Sequence, residues 1–260
     1  MIFFLETINQ KLATTNMSGH NKWSQIKHKK GITDTKKGKI FSRLVREVMI
    51  ACKTGGNNPN SNTRLRAAIE RARGIGVPKD NIERAVSSGS GAKEGSEFKE
   101  FLYEATGPGG IAILIEGITD NTNRSISEIK HLLNTHGGHV ADPNSLLWNF
   151  QKIGILEVSK EQNSRMLKDD IELAFIEAGA RDFFSTDDAW IIETEFAACD
   201  HVRKQLEQRG VAIRVSEHDY KPINTILLDP QTETAAELLI NTLTEHEDVR
   251  EVYTNIQNSV

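Results

Sequence analysis

Apolar residues recur at helical spacing in three stretches of the first third of the chain. The first covers residues 40–52 and ends at Gly55-Gly56, the second covers residues 65–72, and the third covers residues 82–86 after Pro78. Proline suits the first turn of a helix because the amide hydrogen that it lacks would have no helical partner there. The pattern therefore predicts a small N-terminal domain of three helices.

Strands and helices alternate after a serine- and glycine-rich stretch at residues 87–95, which is predicted to be a linker. Strands are expected at residues 98–105, 111–118 and 146–150, with a helix over residues 123–136 between the last two. The alternation therefore predicts a sheet that begins at residue 98.

A compact unit follows between residues 155 and 215 in the order strand, helix, strand, strand, helix, strand. This βαββαβ order is that of a ferredoxin-like fold. Strands at residues 224–228 and 249–253 then flank a last helix, and we expect these elements to complete the sheet begun at residue 98.

The predicted fold class is α+β, with an N-terminal three-helix domain followed by two ferredoxin-like α/β-sandwich domains, one inserted in the other. Residues 1–17 are assigned to a leader that we expect to be disordered, and residues 18–95 to a basic helical domain with its linker. Residues 96–151 and 219–260 are assigned to a discontinuous α/β domain, and residues 152–218 to the inserted domain.

The charge of the chain divides at the end of the predicted helices. Residues 18–86 contain nine lysines and seven arginines against five acidic residues, a net charge of +11. Residues 87–260 contain 15 basic and 30 acidic residues, a net charge of −15, although the whole chain carries only −4. Such a division is typical of proteins that bind a polyanion through one basic segment.

Basic residues recur at helical spacing along the predicted helices. Four of them follow one stripe of the first helix, and two pairs of arginines, each seven residues apart, flank the apolar face of the second. Cations on a rigid surface displace counterions from a phosphate backbone, which gives salt-dependent affinity with little sequence information. The predicted nucleic-acid-binding residues are Lys22, Trp23, Lys27, His28, Lys29, Lys30, Lys36, Lys37, Lys39, Arg43, Arg46, Lys53, Arg64, Arg66, Arg71 and Arg73.

Two alternatives stay open for this basic segment. Lysine and arginine are normal on helix exteriors, so each helix taken alone is also compatible with a solvated face. Trp23 suits either stacking on an exposed base or anchoring of the basic arm in the core.

Other candidate sites favour a structural interpretation. The glycines of residues 107–110 match no phosphate-loop pattern and lie between two strands, which predicts a hairpin turn. Three histidines within residues 131–139 lack the spacing of metal ligands. The aspartate pairs at residues 169–170 and 187–188 have no accompanying nucleophile or oxyanion device. We therefore expect no catalytic residue, no metal, no cofactor and no enzymatic activity.

No apolar run approaches the roughly 18–20 residues that a membrane span needs, so no membrane partner is expected. The opening Met-Ile-Phe-Phe-Leu has no basic residues before it, and residues 1–16 contain no arginine, so they resemble neither a secretory signal nor a mitochondrial presequence. Cys52 and Cys199 belong to no CxxC pair and predict buried free thiols. These features predict a cytoplasmic protein.

Several motifs resemble those of the YebC family, also called the translational activator of cytochrome oxidase family. The resemblance begins at Met17 and extends to the end of the chain. The matching motifs are Met17-Ser-Gly-His-Asn-Lys-Trp-Ser-Gln-Ile-Lys-His-Lys-Lys, Lys37-Gly-Lys-Ile-Phe-Ser-Arg-Leu, Pro78-Lys-Asp-Asn-Ile-Glu-Arg-Ala, Tyr103-Glu-Ala-Thr-Gly-Pro-Gly-Gly, Thr119-Asp-Asn-Thr-Asn-Arg, His136-Gly-Gly and Val252-Tyr-Thr-Asn. Residues 141–146 depart from the family's Gly-Ser-Val pattern.

The resemblance implies a non-enzymatic cytoplasmic protein of three domains arranged around an open cleft. It implies a DNA-binding transcriptional regulator or, alternatively, a translation factor that binds ribosomal RNA on the ribosome and relieves stalling on proline-rich nascent chains. The charge pattern does not separate DNA from RNA, since both are polyanions. A small-molecule sensor, suggested by the ferredoxin-like fold alone, and a hydrolase using acidic residues are the remaining hypotheses.

Overall fold

A computed structural model describes residues 34–91 and 98–257. Within these ranges, no helix combines the length and the apolar character that a membrane span requires. The architecture has the predicted class: a helical domain followed by two antiparallel sheets with helices packed on them. The helices of the first domain are α1 (Asp34–Gly55), α2 (Thr63–Ile75) and α3 (Lys79–Ser90).

Asn62 fixes the junction between α1 and α2. Its side-chain oxygen accepts a hydrogen bond from the Leu65 amide at 3.0 Å and caps α2. Its side-chain nitrogen donates to the carbonyls of Ala51 and Gly56, both at 2.7 Å, where α1 ends. The predicted apolar stripe of α2 is buried as expected, and the helical domain has its own core of Leu44, Val48, Ala51, Cys52, Leu65, Ala68, Ile69, Ala72, Val77, Ile82 and Ala85.

Helix α3 continues through the first residues of the predicted linker. The prediction of a linker from residue 87 is wrong as far as Ser90, because Gly89 lets α3 approach α1 closely. A side chain at that position would place its Cβ 2.5 Å from the carbonyl oxygen of Met49. Gly89 is therefore a packing residue of α3 and does not belong to a linker.

The first sheet consists of β1 (Lys99–Thr106), β2 (Ala112–Thr119), β3 (His139–Val140) and β8 (Val249–Thr254), which come from distant parts of the chain. Their order in the sheet is β3-β1-β2-β8. Helices α4 (Thr122–Thr135) and α7 (Pro230–Thr244) pack on it over a core that includes Ile113, Ile129 and Leu239. β8 pairs antiparallel with β2, so the end of the chain completes the sheet that begins at residue 99.

The intervening segment forms the second sheet and its helices. They are β4 (Phe150–Ser159), α5 (Lys168–Ala178), β5 (Asp182–Ser185), β6 (Ala189–Glu195), α6 (Cys199–Gln208) and β7 (Ile213–Pro222). This is the predicted βαββαβ order; the strands lie in the order β5-β6-β4-β7, and the helices cover a core around Leu156, Phe175 and Leu206. A separate apolar cluster of Ala112, Leu114, Phe150 and Tyr253 joins the two sheets.

Two predicted strands are not formed. Most of the strand expected at residues 146–150 is instead a short 3-10 helix, Leu147–Asn149, and only Phe150 enters β4. The amides of Leu146 and Leu147 donate to the carboxylate of Glu104, at 2.6 and 2.9 Å, and so need no strand partner. The strand expected at residues 224–228 is reduced to a single parallel bridge between Ile226 and Ile256.

The glycine-rich segment after β1 forms the predicted hairpin connection to β2. Its short 3-10 helix, Pro108–Gly110, contains Gly109 and Gly110 with φ angles of 72° and 75°. These left-handed conformations favour glycine because a side chain would clash with its own backbone. Their role is therefore explained by the turn.

Replacement of Gly117 by alanine should lower the free energy of unfolding by about 1–3 kcal/mol, because β2 has no room for a side chain there. The added Cβ would lie 2.2 Å from the Asp248 carbonyl oxygen and 2.3 Å from the Phe101 ring. Gly74→Ala is the control, since nothing lies within 4 Å of that position in α2. It should leave stability unchanged or raise it by up to about 1 kcal/mol. Urea denaturation followed by circular dichroism measures both, and equal effects would contradict the packing argument.

Candidate nucleic-acid interface

The predicted interface residues fall into three groups according to what the structure describes. Lys22, Trp23, Lys27, His28, Lys29 and Lys30 lie outside the described residues. Lys36, Lys37 and Lys39 belong to the first turns of α1, and their side chains lie outside the description as well. The remaining seven residues are described with their contacts.

Arg46 of α1 contacts the turn before β8, and Arg43 contacts the first residue of that strand, about 200 positions further along the chain. Arg46 Nη1 lies 2.7 Å from a carboxylate oxygen of Asp248 and 3.3 Å from the carbonyl oxygen of Glu247. Arg43 Nη1 donates to the carbonyl of Val249 at 3.0 Å. The guanidinium of Arg46 also lies 5.6 Å from the centre of the Phe98 ring. This part of the predicted basic stripe therefore joins the helical domain to the first sheet.

The carboxylate of Asp248 is fully buried and accepts hydrogen bonds from several elements. Besides Arg46, it contacts Arg124 Nη2 at 2.9 Å, Ser125 Oγ at 2.7 Å and Thr119 Oγ1 at 3.1 Å. Burial raises the pKa of this carboxyl, but the hydrogen bonds from Ser125, Arg124 and Thr119 outweigh burial, and the net pKa lies below the ordinary value of 3.8. Asp248 is therefore a charged anchor.

The segment Thr119-Asp-Asn-Thr-Asn-Arg is built around this anchor. Asn121 caps α4 by accepting a hydrogen bond from the Arg124 amide at 3.1 Å, which orients the first turn of the helix. Thr119 and Arg124, at the two ends of the segment, both reach Asp248. The Thr119-Asp-Asn-Thr-Asn-Arg motif therefore caps α4 and binds the Asp248 carboxylate.

Arg64 and Arg71 of α2 also contact carboxylates of the α/β domains. Arg64 forms an ion pair with Glu100 at the start of β1, and Arg71 pairs with Glu217 of β7. Arg71 contacts Glu47 of α1 at 3.0 Å as well. Glu217 raises the pKa of Arg71, burial opposes that shift, and Glu47 adds to it, so the guanidinium stays charged.

A cleft of about 490 Å³ lies where the helical domain, the first sheet and β7 meet. Arg250 crosses its wall, with Nη2 2.7 Å from Glu116 and Nε 3.7 Å from Glu47. The acidic side chains of the lining outnumber its lysine and arginine side chains. The charged lining residues are Glu47, Arg64, Arg71, Glu100, Glu116, Lys152, Asp200, Glu217, Asp219, Arg250 and Glu251.

Several groups in this cleft titrate away from their ordinary values. Burial raises the pKa of Glu251 to about 7, although Arg43 and other nearby arginines partly oppose the shift. Burial and the neighbouring Glu116 raise the pKa of Tyr253, whose hydroxyl lies 3.1 Å from that carboxylate. Burial, followed by the charge of Lys152, lowers the pKa of His218. Burial in the cleft therefore disfavours the charged forms of all three groups, whichever their sign.

Three predicted residues are placed away from these contacts. Lys53, in the last turn of α1, and Arg73, near the end of α2, are exposed. Arg66 is half-buried and, like Arg73, lies close enough to Glu70 to lower the pKa of that carboxyl, which burial raises overall. Since Arg66 and Arg73 are seven residues apart, they share one side of α2, separate from the side that holds Arg64 and Arg71.

Sequence reasoning missed the acidic partners of these arginines. Glu47 is one of only five acidic residues in the basic segment, and this rarity was the available signal for an internal ion pair. Glu217 and Asp248 carried no comparable signal, because their proximity to α1 and α2 depends on the docking of whole domains.

The structure also locates the other candidates considered from the sequence. His131 and His139 are exposed, and the Nδ1 atom of His136 lies 2.9 Å from the carbonyl of Leu132. Cys52 and Cys199 are free and buried, as predicted. A group that sequence reasoning did not consider, Glu128, His246 and Asp248, has its polar atoms within 4.8 Å of one another.

Hydrogen bonds account for the proximity of Glu128, His246 and Asp248. Nε2 of His246 lies 2.9 Å from Glu128, and Nδ1 of His246 accepts from the Asp248 amide at 3.2 Å. The Asp248 carboxylate is already occupied by two arginines and two hydroxyls. The three residues therefore form part of the Asp248 anchor.

Comparisons with known proteins agree with this architecture. The model of the TACO1/YebC protein N-terminal domain matches residues 21–92, and that of the TACO1/YebC second and third domain matches residues 98–256. The chain belongs to the YebC family. The solved structure of the conserved hypothetical protein Aq1575 from Aquifex aeolicus has a TM-score of 0.80 and 37% identity, and the match covers 92% of this chain and 98% of that one.

Curated YebC relatives are similar over nearly their whole length. A probable transcriptional regulatory protein of Kosmotoga olearia is 43% identical, with 93% of this chain and 94% of the relative covered. A second, from Thermoanaerobacter pseudethanolicus, is 41% identical, with 93% of this chain and 97% of the relative covered. The resemblance inferred from the motifs is therefore confirmed.

Replacement of Asp248 by asparagine should lower the free energy of unfolding by about 3–5 kcal/mol, because Arg46 and Arg124 would face a neutral amide in a buried site. Asp120→Asn is the matched control, since Asp120 also pairs with Arg124, at 3.1 Å, but is partly exposed. The control should lose no more than about 1 kcal/mol. Urea denaturation measures both variants, and similar losses would show that Asp248 is not an anchor.

Replacement of Glu251 by glutamine should stabilise the protein increasingly as the pH rises. The folded protein holds the Glu251 proton with a pKa of about 7, against an ordinary value of 4.5, so the associated stability is complete below pH 4.5 and is lost as the pH rises through about 7. Glutamine stays neutral and avoids this loss.

The measurement is the melting temperature of the Glu251→Gln variant minus that of the wild type. This difference should be near zero at the acidic end of the range and positive at about pH 8. Glu237→Gln removes an exposed carboxylate from α7 and should show no such trend. A difference for Glu251→Gln that does not change with pH would contradict the shifted pKa.

Proposed function

We propose that this protein is a nucleic-acid-binding regulator of gene expression, in particular a cytoplasmic DNA-binding transcriptional regulator without catalytic activity. The observation that carries the proposal is the confinement of net positive charge to residues 18–86, at one end of a molecule whose remainder is acidic. The names of the curated relatives, which are probable transcriptional regulatory proteins, support it.

The division of the arginines within the helical domain narrows the proposed contact surface. Arg46, Arg64 and Arg71 contact carboxylates of the α/β domains. Lys53 and Arg73 are exposed and define what we call the outer surface of the helical domain. The lysines of residues 22–39 precede α1 in the chain or begin it, and we propose that they bind phosphate as well. We infer that phosphate groups contact this outer surface, and that Arg46, Arg64 and Arg71 hold the domains together in the structure described.

The electrostatics of the cleft support the same location. Its acidic residues outnumber its basic ones. A phosphate backbone in the cleft would meet repulsion from several carboxylates at short range.

A ribosome-associated translation factor that binds ribosomal RNA, and relieves stalling on proline-rich nascent chains, is the second candidate. Helices α1 and α2 contain neither asparagine nor glutamine, the residues that most directly read adenine in the major groove. Shape-based binding to structured RNA needs only cations on a rigid surface. Crosslinking in cells followed by sequencing of the attached nucleic acid decides between the candidates: discrete promoter DNA supports transcription, and mainly ribosomal RNA supports translation.

Substitution of Lys36, Lys37 and Lys39 by glutamine should weaken nucleic-acid binding and reduce its dependence on salt. If each lysine neutralises one phosphate of duplex DNA, the slope of log K against log salt should become shallower by about 0.9 per contact. Fluorescence anisotropy with a labelled DNA duplex and a labelled ribosomal-RNA hairpin, over a salt series, measures the slope for both polyanions.

The matched control is the triple variant Lys130→Gln, Lys168→Gln and Lys204→Gln, which removes three exposed charges from the α/β domains. It changes the net charge equally and should leave the salt slope unchanged. An unchanged slope in the Lys36, Lys37 and Lys39 variant, or an equal loss in the control, would refute the proposed surface.

A further inference from the structure

The helical domain carries arginines on an inner face, defined here as Arg43, Arg46, Arg64 and Arg71. Three of them are bound by carboxylates of the α/β domains: Asp248 holds Arg46, Glu100 holds Arg64, and Glu217 holds Arg71. Guanidinium groups bind carboxylates and phosphates with the same forked arrangement of donors. The carboxylates thus occupy positions on this face that phosphates of a nucleic acid could also occupy.

The attachment of the helical domain to the rest of the molecule is mainly polar. Each of the four clusters of buried apolar side chains among the described residues lies either within the helical domain or within the α/β part. The contacts that join them include the three ion pairs and the hydrogen bond from Arg43 to the Val249 carbonyl. The Arg64–Glu100 and Arg71–Glu217 pairs are partly exposed. Such pairs are weak and are screened by salt, so this part of the attachment is reversible more readily than an apolar interface.

We propose that the inner face is a second polyanion-binding surface, which the carboxylates of the α/β domains cover in the structure described, so that docking of the helical domain and nucleic-acid binding compete. This inference rests on the proposed function, because it assumes that the helical domain binds nucleic acid.

When nucleic acid replaces the docking carboxylates, each arginine exchanges a carboxylate contact for a phosphate contact. In the docked state Arg46 and Arg71 face Asp248 and Glu217, and in the bound state they face phosphates. Glu217 then returns to water, whereas Asp248 keeps its contacts with Arg124, Ser125 and Thr119. The apparent affinity of the inner face is then reduced by the small fraction of molecules in which the helical domain is undocked. Weakening a docking carboxylate raises that fraction and therefore raises the affinity.

Glu217 is the most suitable position for a test. Its side chain is 35% exposed, so an isosteric glutamine is compatible with folding. It lies on β7, outside the helical domain, and its charge is the largest contribution to holding Arg71 charged. Asp248 is less suitable, since its fully buried carboxylate also anchors Arg124 within the first sheet.

The experiment compares Glu217→Gln with the wild type by fluorescence anisotropy on a short labelled DNA duplex and on a ribosomal-RNA hairpin. The variant should bind several-fold more tightly, with a DNA salt slope steeper by about 0.9 if one arginine gains a phosphate. Glu195→Gln is the matched control, because it breaks the exposed Arg181 ion pair of 3.2 Å within the inserted unit and removes the same charge. Addition of Arg71→Gln to the Glu217→Gln variant should abolish the gain.

Three results would overturn the inference. They are an affinity of Glu217→Gln equal to or below that of the wild type, an equal gain in Glu195→Gln, and a gain that persists when Arg71 is also replaced. Melting temperatures confirm that the variants are folded. Failure of the proposed function itself has a different signature: the wild type would then show no salt-dependent binding to either probe, whatever the state of Glu217.

Discussion

The buried carboxylate of Asp248 is the contact on which the arrangement of the domains most depends. It accepts hydrogen bonds from Thr119 at the end of β2, from Arg124 and Ser125 at the start of α4, and from Arg46 of the helical domain. The backbone of the same residue is joined to β2, since its carbonyl accepts from the Ile118 amide at 2.8 Å. A buried charge is stable only when it is paired, and these donors supply that pairing.

Docking of the helical domain divides its basic residues into those that contact the α/β domains and those that are exposed. Arginines that a helical repeat groups on one stripe, such as Arg43 and Arg46, contact the first residue of β8 or the turn before it, whereas Lys53 on the same helix is exposed. The acidic excess of the α/β domains therefore has an internal role in addition to its effect on the net charge. It neutralises arginines on the inner face of the helical domain.

The cleft between the domains acquires its properties from the same pairs. Arg71 and Arg250 share Glu47, and each reaches a further carboxylate, Glu217 or Glu116. The lining is thus a connected set of charges in which acidic groups predominate. Burial raises the pKa of Glu251 to about 7, against the opposing effect of nearby arginines. A site of this kind is poorly suited to phosphate, which supports a phosphate contact on the outside of the helical domain.

The sequence by itself determined the elements that depend on local spacing. The apolar stripe of α2, the βαββαβ order and the glycine turn between β1 and β2 follow from periodicity and from backbone geometry, which involve neighbouring residues only. The basic character of the first domain is likewise a property of composition.

The tertiary structure alone decided which polar groups meet. The Glu104 carboxylate accepts hydrogen bonds from the amides of Leu146 and Leu147, where a short 3-10 helix stands in place of the predicted strand. Asp248 and Glu217 bind Arg46 and Arg71 from positions more than 140 residues away, so that part of a predicted binding stripe becomes a contact between domains. No local pattern encodes such pairs, because they exist only once separately folded units have been brought together.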